Sequence, residues 1–305
     1  MEHRKVRYMK RKINQRAGDN IFDFFVYFIL VLLLLIVLYP LVYVVSASFS
    51  APYAVTSGQV WLYPVDFSLI GYETVFRNPD VLSGYRNSIY LTLLGTSVNI
   101  ILTIICAYPL SVRTFVGRNL FMGILTFTML FSGGLIPTFL FINQLGLYNT
   151  YWALILPGAV SIYNMVIART FFQSAIPYEL YESAELDGCS DIRYLISIVI
   201  PLAKPIIAVL ILYYAVGHWN SYFSALIYLK DKAKYPLQII LRNIIIQNQI
   251  DTTTMVDVSS LLKKQGLAEL LKYSLIVVSS VPMLMVYPFV QKYFVKGVMI
   301  GALKG

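Results

Sequence analysis

Apolar positions along this chain gather into long runs separated by shorter polar segments. Six runs reach the roughly 20 residues that a helix needs to cross the hydrocarbon layer of a bilayer. They are Phe22 to Val45, Ile89 to Val112, Phe121 to Asn143, Trp152 to Phe172, Pro205 to Leu229 and Leu271 to Val290. Strands of a membrane barrel would be half as long and would alternate, so the pattern predicts an all-α membrane protein of six transmembrane helices. The first run follows a basic leader, as a signal peptide does, but its apolar stretch is too long for that element and reads as a retained helix.

Composition agrees with a lipid solvent: 58% of the residues are hydrophobic and 13% are charged, where a soluble domain carries roughly a quarter charged residues. The placement of Lys and Arg then predicts orientation, because short segments rich in them stay cytoplasmic. Arg4, Lys5, Arg7, Lys10, Arg11, Lys12 and Arg16 lie in the leader, and Arg113, Arg118, Arg169, Arg193, Lys204, Lys292, Lys296 and Lys304 fall at the same ends of later runs. Most of the 24 basic residues are thereby inside, with both termini cytoplasmic. The net charge of +9 is accounted for by topology, with no reason to invoke nucleic acid. Three regions result: a basic cytoplasmic leader over residues 1–20, a transmembrane domain over 21–295, and a cytoplasmic tail over 296–305. Cys106 within a span and Cys189 in a loop at the opposite depth offer no disulfide framework.

Outside the membrane, Ser48 to Arg86 reads as a loop with short helical pieces, broken by Pro52, Gly58, Pro64, Gly71 and Pro79. A second outer stretch runs from Lys230 to Lys264, with Asp257 expected to cap an amphipathic helix that enters the sixth span. Between the fourth and fifth spans, Ile176 to Gly188 reads as a short helix at the cytoplasmic face. Pro177 suits a first turn, Glu179 complements the positive helix start, and Gly188 can supply a left-handed stop. Ser190 or Asp191 could cap a second helix, Ile192 to Ile200, ending at Pro201. Leu180, Tyr181 and Ala184 share one side of the first helix, a small apolar face to press into something.

These residues carry a resemblance. Glu182-Ser183-Ala184, Asp187-Gly188, Ile198 and Pro201-Leu202 resemble the EAA loop of ABC importer permeases, with Ser183 in place of the usual middle alanine. Trp219-Asn220-Ser221-Tyr222-Phe223, Phe131 to Pro137 and the ending Tyr287 to Gly305 are similar to carbohydrate permeases related to the maltose system, so the likeness spans nearly the whole chain. The resemblance implies a type I ABC importer permease fold and a place in a heteromeric complex. A second permease subunit completes the pore, an ABC ATPase dimer binds below, and an extracytoplasmic solute-binding protein delivers an oligosaccharide substrate from outside. The segment 176–201 would couple the ATPase to the pore through Glu182, Ser183, Ala184, Asp187, Gly188, Ile198 and Pro201. The tail from Lys296 would reach the ATPase, with Gly297, Gly301 and Gly305 permitting close backbone approach.

No cofactor is expected on this chain. It contains no G-x-x-x-x-G-K-[ST] phosphate loop, and His3 and His218 are too few for an imidazole-rich site, so ATP and Mg would be bound by the partner ATPase. Polar groups within spans are costly and face a bundle interior or a water-lined path. Ser132, Tyr163, Asn164, His218, Trp219, Asn220 and Tyr222 are such groups, each open to an interhelical hydrogen bond as well as to a place on the substrate pathway. Trp219, Asn220 and Tyr222 suit sugar best, since aromatic faces stack on C–H groups and amides meet hydroxyls. Lys230, Lys232 and Lys234 read either as a solvated loop or as a contact for the binding protein or an acidic sugar such as a uronide. The acidic cluster Glu179, Glu182, Glu185, Asp187 and Asp191 would, without the family pattern, be a solvated face. Import of a non-sugar solute, such as a polyamine or phosphate, is the alternative within transport. A secondary transporter would require inverted repeats and charged pairs in the spans, and neither is found; a membrane-anchored enzyme lacks catalytic groups.

Overall fold

A computed structural model of the chain describes residues 17–250 and 258–302. The expectations for Arg4 to Arg16, for Asp257 and for the last residues of the tail lie outside the described residues. All regular structure among the described residues is helical.

The first apolar run forms α1 (Ala17–Ser48). From Ile21 to Leu41 its Phe, Leu, Ile and Val side chains are exposed on every side, an arrangement that hydrocarbon favours and water does not. Its outer end is held by the loop that follows: Ser46 Oγ donates to the Leu62 carbonyl at 2.7 Å, and Ser48 Oγ shares a hydrogen bond with the Tyr72 hydroxyl at 2.7 Å. The expected short helical pieces of that loop are α2 (Pro52–Thr56) and α3 (Ile70–Arg77).

The spine of the bundle is α4 (Pro79–Ser111). Asn78 caps it, its Oδ1 accepting the Asp80 N–H at 3.0 Å, and Pro79 occupies the first turn, where a missing N–H has no cost. The helix begins ten residues before the predicted run because its polar start binds other outer segments. Asn87 Nδ2 donates to the Ala233 and Tyr235 carbonyls at 2.7 and 3.0 Å, and Ser88 Oγ accepts the Leu237 N–H at 2.9 Å.

The third predicted run is not one straight helix. It divides into α5 (Arg118–Leu130) and α6 (Leu135–Gln144), set at 113° to each other. The break falls at Phe131-Ser132-Gly133-Gly134, where Gly134 takes φ +86, a conformation a side chain would oppose. The fourth run is also interrupted: α7 (Trp152–Ile155) and α8 (Ile162–Ala175) flank Pro157-Gly158, which ends one helix and lets the chain turn before the next.

The segment after α8 contains α9 (Tyr178–Leu186), α10 (Asp191–Tyr194), a π-helical turn at Leu195–Val199, and α11 (Ile200–Leu202). Pro201 explains the widened turn, since its ring would collide with the carbonyl four residues back in a regular α-helix. The stretch Asp191–Leu202 meets α12 (Lys204–Trp219) at 81°, so it lies across the bundle rather than along it. The fifth run ends early. Asn220 to Tyr222 break it before α13 (Phe223–Tyr228), a 3₁₀ turn at Lys232–Lys234, α14 (Leu237–Ile250) and finally α15 (Val258–Ala302).

Three helices, α1, α4 and the Gln265–Phe289 part of α15, are long and apolar enough to span a membrane, and the two bent pairs raise the number to five. Within the bundle, α4 packs on α8 and α12 around Ala107, Met165, Ala168 and Leu210. Small residues let these helices approach closely: a Cβ on Gly95 of α4 would lie 2.5 Å from His218 Nε2 of α12. Polar pairs fix the register, with His218 Nε2 3.4 Å from Asn99 Oδ1, Asn99 Nδ2 donating to the Gly158 carbonyl at 3.2 Å, and Thr103 sharing a 2.7 Å hydrogen bond with Tyr214.

Candidate coupling segment and substrate path

The α9 helix is a built unit rather than a loose loop. Pro177 stands at the cap position, one residue before the first turn in which it was expected, with extended φ and ψ. At the other end Gly188 has φ +71. The Gly188 N–H donates to Glu185 O at 3.0 Å and the Cys189 N–H to Ala184 O at 2.9 Å, the paired bonds of a Schellman stop. Asp187 is the C-terminal cap residue, its N–H bonded to Ser183 O at 3.1 Å. The following helix starts after Ser190, which holds the cap position without a side-chain hydrogen bond, while Asp191 Oδ1 accepts from the Tyr181 hydroxyl at 3.3 Å.

The two sides of α9 differ. Ala184 is 7% exposed, and Tyr181 packs beside it against Tyr194 (centroids 5.4 Å apart) and the α4–α8–α12 core. The expected apolar face therefore rests largely on the protein itself, and Leu180 is left exposed. Burial and the adjacent Asp191 carboxylate push the Tyr181 phenol above its ordinary range. The outer side presents Glu179, Glu182, Ser183 and Leu186, the last 90% exposed. Among the described residues neither glutamate is in an ion pair. Beside α9 opens a cleft of about 920 Å³ lined by Arg113, Arg118, Tyr178, Glu179 and Glu182, with the Arg113 guanidinium 4.8 Å over the Tyr178 ring. Ile198 is half-buried against the core and Pro201 is exposed at the base of the segment. Glu182, Ser183, Ala184, Asp187 and Gly188 thus share one rigid helix and its stop, carried by a second element that contains Ile198 and Pro201.

The residues considered for the substrate path are not gathered into one place. Ser132 is exposed in the α5–α6 break, Tyr163 is exposed near the start of α8, and Asn164 is buried beside it. Among the described residues no hydrogen bond or ring contact joins these three to Trp219, Asn220 or Tyr222. Trp219 is 2% exposed, its indole N–H donating to the Ser279 carbonyl at 2.9 Å and its ring 6.1 Å from that of Tyr85. It ties α12 to α15. Asn220 is exposed and Tyr222 half-buried at the break. Two residues that the sequence reading did not single out meet them: Gln238 Nε2 donates to Asn220 Oδ1 at 3.4 Å, and the Arg242 guanidinium lies 5.6 Å over the Tyr222 ring. Their signal was available as polar positions four apart, Gln238 and Arg242, the second followed by Asn243, in the otherwise apolar stretch Leu237–Ile246. Of the outer lysines, Lys234 Nζ is bound to the Asn149 carbonyl at 2.9 Å, whereas Lys230 and Lys232 are exposed. Asn149, at φ +60, also accepts the Lys230 and Asp231 N–H groups on its Oδ1 at 3.1 and 3.0 Å, which fixes this loop.

A bundle of apolar helices that carries a closed acidic helix packed on its core is the form of a membrane transport subunit. The chain belongs to the family of binding-protein-dependent transport system inner membrane components, whose model matches residues 99–300. It is 42% identical to protein LplC of Bacillus subtilis (strain 168) over 293 residues, 96% of this chain and 97% of that one. It is likewise 42% identical to the polygalacturonan/rhamnogalacturonan transport system permease protein YtcP of the same organism, over 94% of this chain and 99% of that one. A chain from the crystal structure of a bacterial ABC transporter involved in the import of the acidic polysaccharide alginate superimposes with a TM-score of 0.81 at 35% identity, covering 92% of this chain and 98% of that one. The protein is a multi-pass permease component of the cytoplasmic membrane, a transport subunit and not an enzyme. Such permeases work with an ATPase and a substrate-binding protein, and usually with a second permease.

Proposed function

We propose that this chain forms half of the translocation pore of an ATP-driven importer of oligosaccharides derived from a polysaccharide, and that α9 transmits the motion of the ATPase to the membrane helices. The observation that carries the coupling role is the build of α9: a helix closed by a Schellman stop, its inner side on the α4–α8–α12 core and its outer side offering Glu179, Glu182, Ser183 and Leu186. A displacement of such a unit is passed on as rigid-body motion, because packed interiors do not absorb it by deforming. The saccharide reading is supported by the similarity to a polygalacturonan/rhamnogalacturonan transport permease and to an importer of the polysaccharide alginate, and by the exposed Asn220 and half-buried Tyr222 at the α12–α13 break.

In this reading the chain crosses the membrane six times with both termini cytoplasmic, the interrupted third, fourth and fifth runs each counting as one crossing. Two ATPase copies bind ATP and Mg below, a solute-binding protein docks outside, and a second permease completes the pore. Ser132, Tyr163 and Asn164 line the path at other depths. Exchange of Glu182 for lysine tests the coupling role, because it reverses the charge at that position of the outer face and leaves Ala184 and Tyr181 in place. Glu182→Lys is expected to insert and assemble normally while substrate-stimulated ATP hydrolysis no longer drives uptake; wild-type uptake would remove the docking assignment.

A further inference from the structure

Most of α14 is apolar and turned inward, with Leu237, Ile239, Ile240 and Leu241 buried. Gln238 and Arg242 interrupt it one turn apart and so share a face. That face meets the break after α12, where Gln238 binds the Asn220 side chain and the Arg242 guanidinium lies over the Tyr222 ring at 5.6 Å. An aromatic ring, two amides and a guanidinium therefore converge, and Asn220 is further held by its Nδ2 donating to the Val216 carbonyl at 3.1 Å.

Arg242 is the unbalanced member of this group. It is exposed, and among the described residues no carboxylate lies within ion-pair distance of it. The cation–π contact, 5.6 Å from the ring centroid, is not a hydrogen bond, so the N–H edge of the guanidinium is left to other partners. That edge is a planar fork whose spacing matches a carboxylate, and it stays charged at any physiological pH. An arginine in an outer segment is by default a solvated cation. The position is unlike that default, because its neighbours are the ring and amides suited to a sugar, and because Lys230 and Lys232, exposed in the same outer stretch, add positive field.

We infer that Arg242 is a specificity-determining residue that reads the carboxylate of a uronic acid unit, so that the substrate is an acidic oligosaccharide. Tyr222 offers the stacking surface, and Asn220 and Gln238 meet the hydroxyls. This inference rests on the oligosaccharide reading above.

The test uses the complete importer reconstituted with its binding protein in liposomes, and compares uptake of short oligogalacturonates with uptake of their methyl esters, which have the same shape without the charge. The acid-to-ester ratio cancels the preference of the binding protein, which is the same in wild type and variant. Arg242→Gln is expected to lower that ratio by about tenfold, the effect of one charge-assisted hydrogen bond. An unchanged ratio overturns the inference. Should the glutamine variant fail to assemble, Arg242→Lys decides: it keeps the charge and loses the fork, so a ratio below wild type supports the assignment and an equal one overturns it. Wild-type uptake of the ester without the acid would defeat the acidic substrate and leave the oligosaccharide reading standing. Uptake of neither by the wild type, in an importer that hydrolyses ATP, would defeat both.

Discussion

Replacing Gly188 isolates what the stop of α9 contributes. An added Cβ has nothing within 4 Å, so the cost is confined to the backbone at φ +71. An L-residue in that region is strained by roughly 1–2 kcal/mol. Alanine recovers roughly 0.4–1 kcal/mol by narrowing the unfolded ensemble. The net is about 1 kcal/mol against the closed stop, or a roughly fivefold rise in its open fraction at an RT of about 0.6 kcal/mol. Hydrogen exchange reads this directly, because the Cys189 N–H is bonded to Ala184 O only while the stop is closed. Gly188→Ala should speed exchange at Cys189 about fivefold and lower the sugar carried per ATP hydrolysed, whereas Gly188→Asn, which tolerates the left-handed region, should stay near wild type. Equal exchange in the alanine variant and wild type would refute the backbone argument, as would an asparagine variant as impaired as alanine.

Other expectations follow from particular contacts. Gly95→Ala should lower the thermal midpoint of the purified complex by the equivalent of about 1–3 kcal/mol, because the new Cβ would sit 2.5 Å from His218 Nε2; an unchanged midpoint would mean that α4 and α12 part easily. Trp219→Ala should cost about 3–5 kcal/mol of stability and leave the substrate affinity of the surviving fraction intact, since the ring is buried and its N–H engaged by Ser279; weaker sugar binding at full stability would contradict a packing role. The Tyr181 phenol, raised by burial and by Asp191, supports α9 in its neutral form. Its contribution is complete below the free phenol range near pH 10 and is lost as pH climbs through the raised value. The late-titrating part of the tyrosinate absorbance, to which several buried phenols contribute, should therefore be smaller by one phenol in Tyr181→Phe than in wild type, and matching late amplitudes would sink this assignment.

Apolar run length gave away the helical class and the place of most helices, because a lipid solvent demands long uniform runs. The same uniformity concealed the breaks. A run such as Phe121 to Asn143 has one hydrophobicity throughout, and only Gly133-Gly134 and its positive φ disclose that the chain turns by 113° there. The coupling segment was more legible, since caps and stops are local chemistry: Gly188 could be assigned its place from residue type, and Pro177 to within one residue. What Tyr181 and Ala184 face could not be assigned, because it depends on Tyr108 and Met165 arriving from distant parts of the chain. The same limit explains Trp219, whose segment suggests sugar while its ring is enclosed by Tyr85 and α15. Arg242 was overlooked because its meaning comes from Tyr222, twenty positions earlier and on another helix.

The central claim is that this chain is a pore subunit driven by another chain's ATP hydrolysis. Its most direct test is to tag the protein in its native membrane, solubilise it gently, identify the chains that accompany it by mass spectrometry, and assay the recovered assembly in liposomes. The account predicts a second permease and an ATPase with a phosphate loop, and uptake of oligosaccharide that requires ATP and the binding protein. Recovery of this chain alone, transporting without ATP, would contradict it.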